Sequence, residues 1–144
     1  MEPDFAAGIG NHHDTAMVEA HIRAKLAGLS EAFASNDVEA YLAGFHEEAT
    51  FQFHYSPRLV DGRDEYRRLW REWEQNDGFR ILRSVTSDLT IRISSSVCVV
   101  VQSLDMTYAV GDRVIPSAER QTLVFAQDAG WLAIHEHNSP RPEA

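Results

Sequence analysis

The apolar side chains of this chain change their repeat once, at Phe79, and that change limits the fold more than any other feature. Before it they recur every three or four residues, as on one face of a helix; after it they recur every second residue, as on a half-buried strand. A chain that is helical first and stranded afterwards builds an α+β domain, with its helices packed on one face of a curved antiparallel sheet.

The helical part has clear boundaries. Asp14 or Thr15 supplies an N-cap, after which Val18, Ile22, Leu26, Leu29 and Phe33 share one face, with Glu19, Arg23, Lys25 and Glu31 off it. The spacing predicts an amphipathic helix of about five turns. Ser35-Asn36-Asp37 ends it and caps a shorter helix from Val38 to about Phe45, whose buried stripe is Tyr41, Leu42 and Phe45. Ala49 to Tyr55 alternates as a strand, with Phe51, Phe53 and Tyr55 on one face and Gln52 and His54 on the other. Ser56-Pro57 breaks it and Val60-Asp61-Gly62 turns the chain. A third helix follows from Arg63 to about Gln75, with Tyr66, Leu69, Trp70 and Trp73 on its apolar face, and Asn76-Asp77-Gly78 stops it.

Beyond Phe79, the stretch to about Ile93 reads as a bent strand or as two strands broken near Ser87-Asp88. Ser94-Ser95-Ser96 turns the chain into Val97 to about Val110, and Gly111-Asp112-Arg113 turns it again. The close is a hairpin, Arg120 to Ala126 and Trp131 to Asn138, about a joint at Gln127-Asp128-Ala129-Gly130. Strand alternation puts Arg120, Thr122 and Val124 on one face, opposite Gln121, Leu123 and Phe125. On the return strand it groups Ala133, His135 and His137 against Leu132, Ile134 and Glu136.

A length of 144 residues suits one domain, expected over residues 14–140 between a loose arm at 1–13 and a tail at 141–144 that frays from Pro140. The formal charge of -9 repels a phosphate backbone and argues against nucleic acid as a partner. No apolar run approaches the roughly 20 residues of a membrane span. The first residues lack the basic start of a signal peptide. The one cysteine, Cys98, lies in the apolar run Val97 to Val101, which makes it an inert core thiol and points to a cytoplasmic address.

The element order, the Asp-Gly before the third helix, and the closing Arg120-x-Thr122 … Trp131-x-x-x-His135-x-His137-x-Ser139 resemble the NTF2-like superfamily. Within it, the likeness is nearest to the SnoaL-like and ketosteroid isomerase-like group and to the association domain of calcium/calmodulin-dependent protein kinase type two. It spans roughly Ala16 to Pro140. The resemblance implies a cystatin-like cone: three N-terminal helices packed on a strongly curved antiparallel sheet, with a cavity open at one end. It also implies a homodimer through the convex sheet face, and either cofactor-independent isomerase, cyclase or dehydratase chemistry or a non-catalytic assembly module with a vestigial pocket.

Carried over residue by residue, the kinase association domain's tyrosine, histidine and arginine, which line a pocket for small carboxylates, fall on Tyr41, Tyr66 and near Arg120. The aspartate base that ketosteroid isomerase holds on its first strand has no match, because Phe53 stands in its place. The acidic oxyanion donor on the penultimate strand has none either, with Thr122 or a neighbour in that region.

These considerations select a set of candidates. Phe51, Phe53, Tyr55, Tyr66 and Trp70 are expected as cavity walls, Tyr41 and Thr122 as hydroxyl groups, and Arg120 as the anchor for a carboxylate, its planar fork suiting bidentate pairing. An ion pair of Arg120 with Glu119, Asp105 or Asp112 at the rim is the plainer alternative. Asp105, mid-strand between apolar neighbours, is a candidate base if desolvated and a structural partner of Arg120 if paired. His54 is the other candidate base, since imidazole titrates near neutrality. His135 and His137, two apart on a strand, offer two metal ligands with His54 as a conceivable third, but zinc needs three or four ligands, so they read more plainly as order for the convex face or a subunit interface. The expected partner is a small apolar or carboxylate-bearing molecule, with no metal and no cofactor.

Overall fold

The structure is a computed structural model and describes residues 12–142, with side chains from Asp14 to Pro142. The arm expected over residues 1–13 lies outside the described residues as far as residue 11, as do the side chains of His12 and His13. Helix α1, His12–Ala34, buries Ile22, Leu26 and Leu29 of the anticipated face and Ala32 beside them, with Val18 and Phe33 partly buried. Its stop has a specific cause. Asn36 takes a left-handed φ of 61°, which its short polar side chain tolerates. That side chain then pairs with the backbone of Ile81 in both directions, at 2.9 and 2.8 Å, like an extra rung of sheet.

Helix α2, Val38–Leu42, is shorter than expected and is capped by the Asp37 side chain on the Ala40 N–H. Phe45, placed on that helix by its spacing, instead opens strand β1, Phe45–Phe53. The two-residue strand β2, Val60–Asp61, lies where a turn was expected and pairs with β1. Helix α3, Arg63–Asp77, buries Tyr66 and Trp70. Gly78 closes it at φ 64°, and a Cβ there would sit 3.2 Å from the Gly111 nitrogen, so only glycine lets this helix end rest on a distant strand turn.

Four strands follow: β3, Phe79–Ser94; β4, Val97–Val110; β5, Arg113–Ala126; and β6, Leu132–Pro140. The sheet order is β2-β1-β6-β5-β4-β3. It is not antiparallel throughout, because β1 and β6 run parallel in the middle of it. β3 is one strand bent by two register breaks, at 81/83 and 87/90, the second with Asp88 at φ 55°. Such bulges add an unpaired residue and sharpen the bend, which is how a long sheet curls around its helices.

A third bulge changes which side chains point inward. Val124 pairs with His135 but Phe125 pairs with Ala133, so Ile134 is the extra residue. Ala133 therefore lies on the concave face with Glu136 and Asn138, all three buried, while His135 and His137 lie on the convex face. This corrects the grouping of Ala133 with the two histidines, which assumed unbroken alternation. The tail is also tied further than expected. The Arg141 N–H donates to the Ala118 carbonyl at 2.9 Å, and its guanidinium reaches Asp105 at 2.6 Å.

Candidate functional site

Within the cone, α3, the end of β1 and the open ends of β3–β5 enclose a cavity of about 240 Å³. Its wall is a connected arc of rings. Tyr66 lies 5.6 Å from Trp70 and 6.3 Å from Trp73, Trp73 lies 6.0 Å from Phe79, and Phe79 lies 5.6 Å from Tyr108. Tyr55 stacks on Phe53 with a centroid distance of 5.1 Å and meets Trp73 edge-on at the mouth. The helical spacing of Tyr66, Trp70 and Trp73 explains three of these rings, since residues three and four apart share a face.

The polar part of the wall comes from β5. Ser117 and Glu119 line the cavity, on the face that also carries Gln121, Leu123 and Phe125. Glu119 is 1% exposed, and the Ser117 hydroxyl donates to its Oε2 at 2.7 Å. Its Oε1 is buried without a partner, and so is the indole Nε1 of Trp70. Buried polar atoms are nearly always bonded, because leaving one unmade costs on the order of 1–3 kcal/mol.

A second buried carboxyl lies deeper on the same concave face and is fully bonded. Glu136, 2% exposed, accepts the Tyr41 hydroxyl at 2.7 Å, the Gln121 amide at 3.1 Å and the Asn138 amide at 2.9 Å. Gln102 extends the chain, donating to the Gln121 oxygen at 2.7 Å. Burial pushes the Glu136 carboxyl up to about 7, the three donors hold it down in part, and the neighbouring Glu119 adds to the rise. Burial, then Glu136, raises the Tyr41 phenol well above its ordinary range, so it stays a hydrogen-bond donor.

The sequence candidates divide accordingly. Tyr55, Tyr66, Trp70 and His54 line the cavity. Phe51 and Phe53 are wholly buried behind it, in ring contact with Tyr66. Tyr41 belongs to the Glu136 network. Arg120 and Thr122 do not reach the cavity. Arg120 pairs in register with Ser103 and Ser139 and is exposed on the convex side, because inward parity on β5 belongs to the odd-numbered residues. The charge expected inside therefore lies outside. Asp105 is not desolvated: it faces Ala118 in register and its half-exposed side chain pairs with Arg141, not Arg120. That leaves no geometry for it as a base at the cavity.

His54 is exposed at the mouth, away from the convex pair, so the three histidines do not converge. Among the described residues no group of three or more His, Cys, Asp or Glu is placed to hold a metal. His135 instead meets the Thr50 hydroxyl at 2.8 Å. Burial, then His137, lowers its imidazole below the ordinary value. No described helix is long and apolar enough to cross a membrane.

Sequence reasoning missed Glu119 and Glu136 as concave-face groups. For Glu119 the signal was present, as it shares parity with Gln121, Leu123 and Phe125. For Glu136 it was hidden by the bulge.

A curled six-stranded sheet wrapped on helices, with a cavity at its open end, defines the NTF2-like, cystatin-like class. Within that class the chain belongs to the SnoaL-like domain family, whose model matches residues 22–142. Solved structures share the fold at low identity. An NTF2-like protein with a cystatin-like fold from Novosphingobium aromaticivorans superposes at a TM-score of 0.71 with 15% identity, covering 96% of this chain and 91% of that one. A ketosteroid isomerase-like protein from Erwinia carotovora atroseptica gives 0.70 with 18% identity, covering 86% and 96%. A putative calcium/calmodulin-dependent kinase II association domain from Exiguobacterium sibiricum gives 0.72 with 10% identity, covering 88% and 95%. No curated sequence relative matches the chain.

Proposed function

We propose that this protein binds a small, largely apolar molecule in the aromatic cavity, with Glu119 as its polar anchor. The observation that carries this is the unpartnered Oε1 of a fully buried carboxyl on the wall of a ring-lined space. A ligand hydroxyl or amine that donates to Oε1 removes the cost of the orphaned oxygen, as expected of a concave apolar site with few polar groups. The volume of about 240 Å³ lies below the roughly 300–1,000 Å³ of drug-sized sites, so one or two rings fit better than a steroid. Where the bound molecule reacts, Glu119 is the group placed to take its proton. That chemistry is isomerisation, cyclisation or dehydration without a cofactor.

Thermal-shift and tryptophan-fluorescence titration against mono- and bicyclic alcohols, amines and acids tests the reading on wild type and Glu119→Gln, with Trp70 and Trp73 as built-in reporters. Stabilisation of wild type by one class, weakened in Glu119→Gln, supports it. A protein that no class shifts has a vestigial pocket, and the assembly alternative then stands.

The second part of the proposal is a homodimer through the convex face. Val99, Val101, Thr122 and Val124 are neighbours in register there, with Val101 43% exposed. Val101→Glu should convert a dimer to monomer in sedimentation; an unchanged mass would sink this interface.

A further inference from the structure

The charges around the cavity narrow the ligand class. This step rests on the proposal that the cavity is the binding site. No lysine or arginine is among the lining residues; Glu119 stands inside, and Asp77 and His54 stand at the exposed edge. The face of an aromatic ring carries a negative quadrupole, and a cation held within about 6 Å of a ring centroid over that face is attracted to it. The chain as a whole carries a formal charge of -9, which draws cations and repels anions before contact. A neutral alcohol can use the free oxygen of Glu119 and the Trp70 N–H, but gains nothing from a charge. An ammonium group uses the oxygen, the rings and the field together.

We infer that the cavity is selective for a small organic cation: a primary or secondary ammonium, on an apolar body of on the order of ten non-hydrogen atoms, whose N–H meets Glu119 Oε1. The size follows from about 240 Å³ of space, roughly eight times the 30 Å³ that a water molecule occupies in the liquid. The Trp70 indole N–H, also unpartnered, suits an oxygen substituent on the same molecule. The carboxylate-bearing ligand expected from an inward Arg120 has no counter-charge here and meets Glu119 instead.

Four probes with one ring in common separate the contributions: benzylamine, benzyltrimethylammonium, benzyl alcohol and benzoate, titrated near neutral pH with calorimetry and tryptophan fluorescence. Benzylamine should bind about tenfold more tightly than benzyl alcohol, with benzoate the weakest. Benzyltrimethylammonium, which has the charge but no N–H, should fall between the amine and the alcohol. In Glu119→Gln the amine preference should shrink to about twofold or less, because benzylamine loses more than benzyl alcohol does, and an unchanged circular-dichroism spectrum and urea midpoint show that the variant is folded. Tyr108→Leu, a change confined to the ring arc, should weaken benzyltrimethylammonium more than benzyl alcohol.

Equal or tighter binding of benzyl alcohol or benzoate overturns the cation preference and leaves the cavity proposal standing. Silence from all four probes overturns the cation inference. If the wider panel is silent as well, the cavity proposal falls with it.

Discussion

Glu119 and Glu136 are two buried carboxyls on the concave face of neighbouring strands, and their surroundings differ in kind. Glu136 accepts three donors and closes a chain that runs from Tyr41 to Gln102. Glu119 has one donor, Ser117, and keeps an oxygen bare beside a cavity. A satisfied buried network holds a core in one arrangement, whereas an unsatisfied group at a cavity lowers stability in favour of binding. The contrast separates an acid whose bonds are completed within the fold from one that keeps an acceptor to spare.

The strongest way to break it is to delete the fully bonded acid. Glu136→Ala strands the donors of Tyr41, Gln121 and Asn138 in the interior, and urea unfolding should show a loss on the order of 3–5 kcal/mol. A loss below 1 kcal/mol would mean that water or a rearranged side chain replaces the carboxyl.

The pH dependence sharpens the contrast further. Glu136 ordinarily titrates near 4.5 and is lifted to about 7 in the folded chain. Its contribution is therefore fully present below about 4.5 and is lost as the pH rises through 7, where the unfolded chain gives up the proton and the folded one holds it. The difference comes to about 3 kcal/mol. Unfolding free energies at pH 5 and pH 8 should show wild type losing most of this increment and Glu136→Gln keeping its value; parallel profiles would remove Glu136 as the source.

Tyr41→Phe deletes one donor of three and should cost about 1–2 kcal/mol, read from the urea midpoint. Smallest of all on stability, Glu119→Gln should shift unfolding by less than about 1 kcal/mol while abolishing selective ligand binding. If instead it unfolds the protein as Glu136→Ala does, the two acids are alike and the contrast is wrong.

Most of the fold is legible in the sequence, because its signals are local. The spacings of Ile22, Leu26 and Leu29, and of Tyr66, Trp70 and Trp73, mark helix faces directly. The failures arise where long-range pairing overrides a local pattern. Phe45 continues a helical spacing yet is drawn into β1, and Val60 resembles a turn yet pairs with Phe51. Nothing local announces that β1 and β6 run parallel, since that follows from how the whole chain closes.

The site was legible in part for the same reason. The rings of α3 carry their own periodicity, but parity on β5 depends on which residues face a core that the strand alone does not define. The family parallel points to Arg120, whereas Leu123 and Phe125 mark the odd-numbered face of β5, and Glu119 with it, as the inner one.

The bulge at Ile134 works like a frameshift within a strand. Upstream of it Ala133 points inward on one alternation; downstream Glu136 and Asn138 point inward on the other, and the histidines are carried outward. Loss of Ile134 alone would leave a regular strand with Ala133, Glu136 and Asn138 still inward, whereas with the bulge kept, loss or gain of one residue just after it would exchange the two sets, placing imidazoles in the core and a carboxylate on the outer surface. A strand built this way tolerates substitution far better than insertion or deletion. Its length, counted to the residue, is therefore as much a part of the concave face as the side chains that form it.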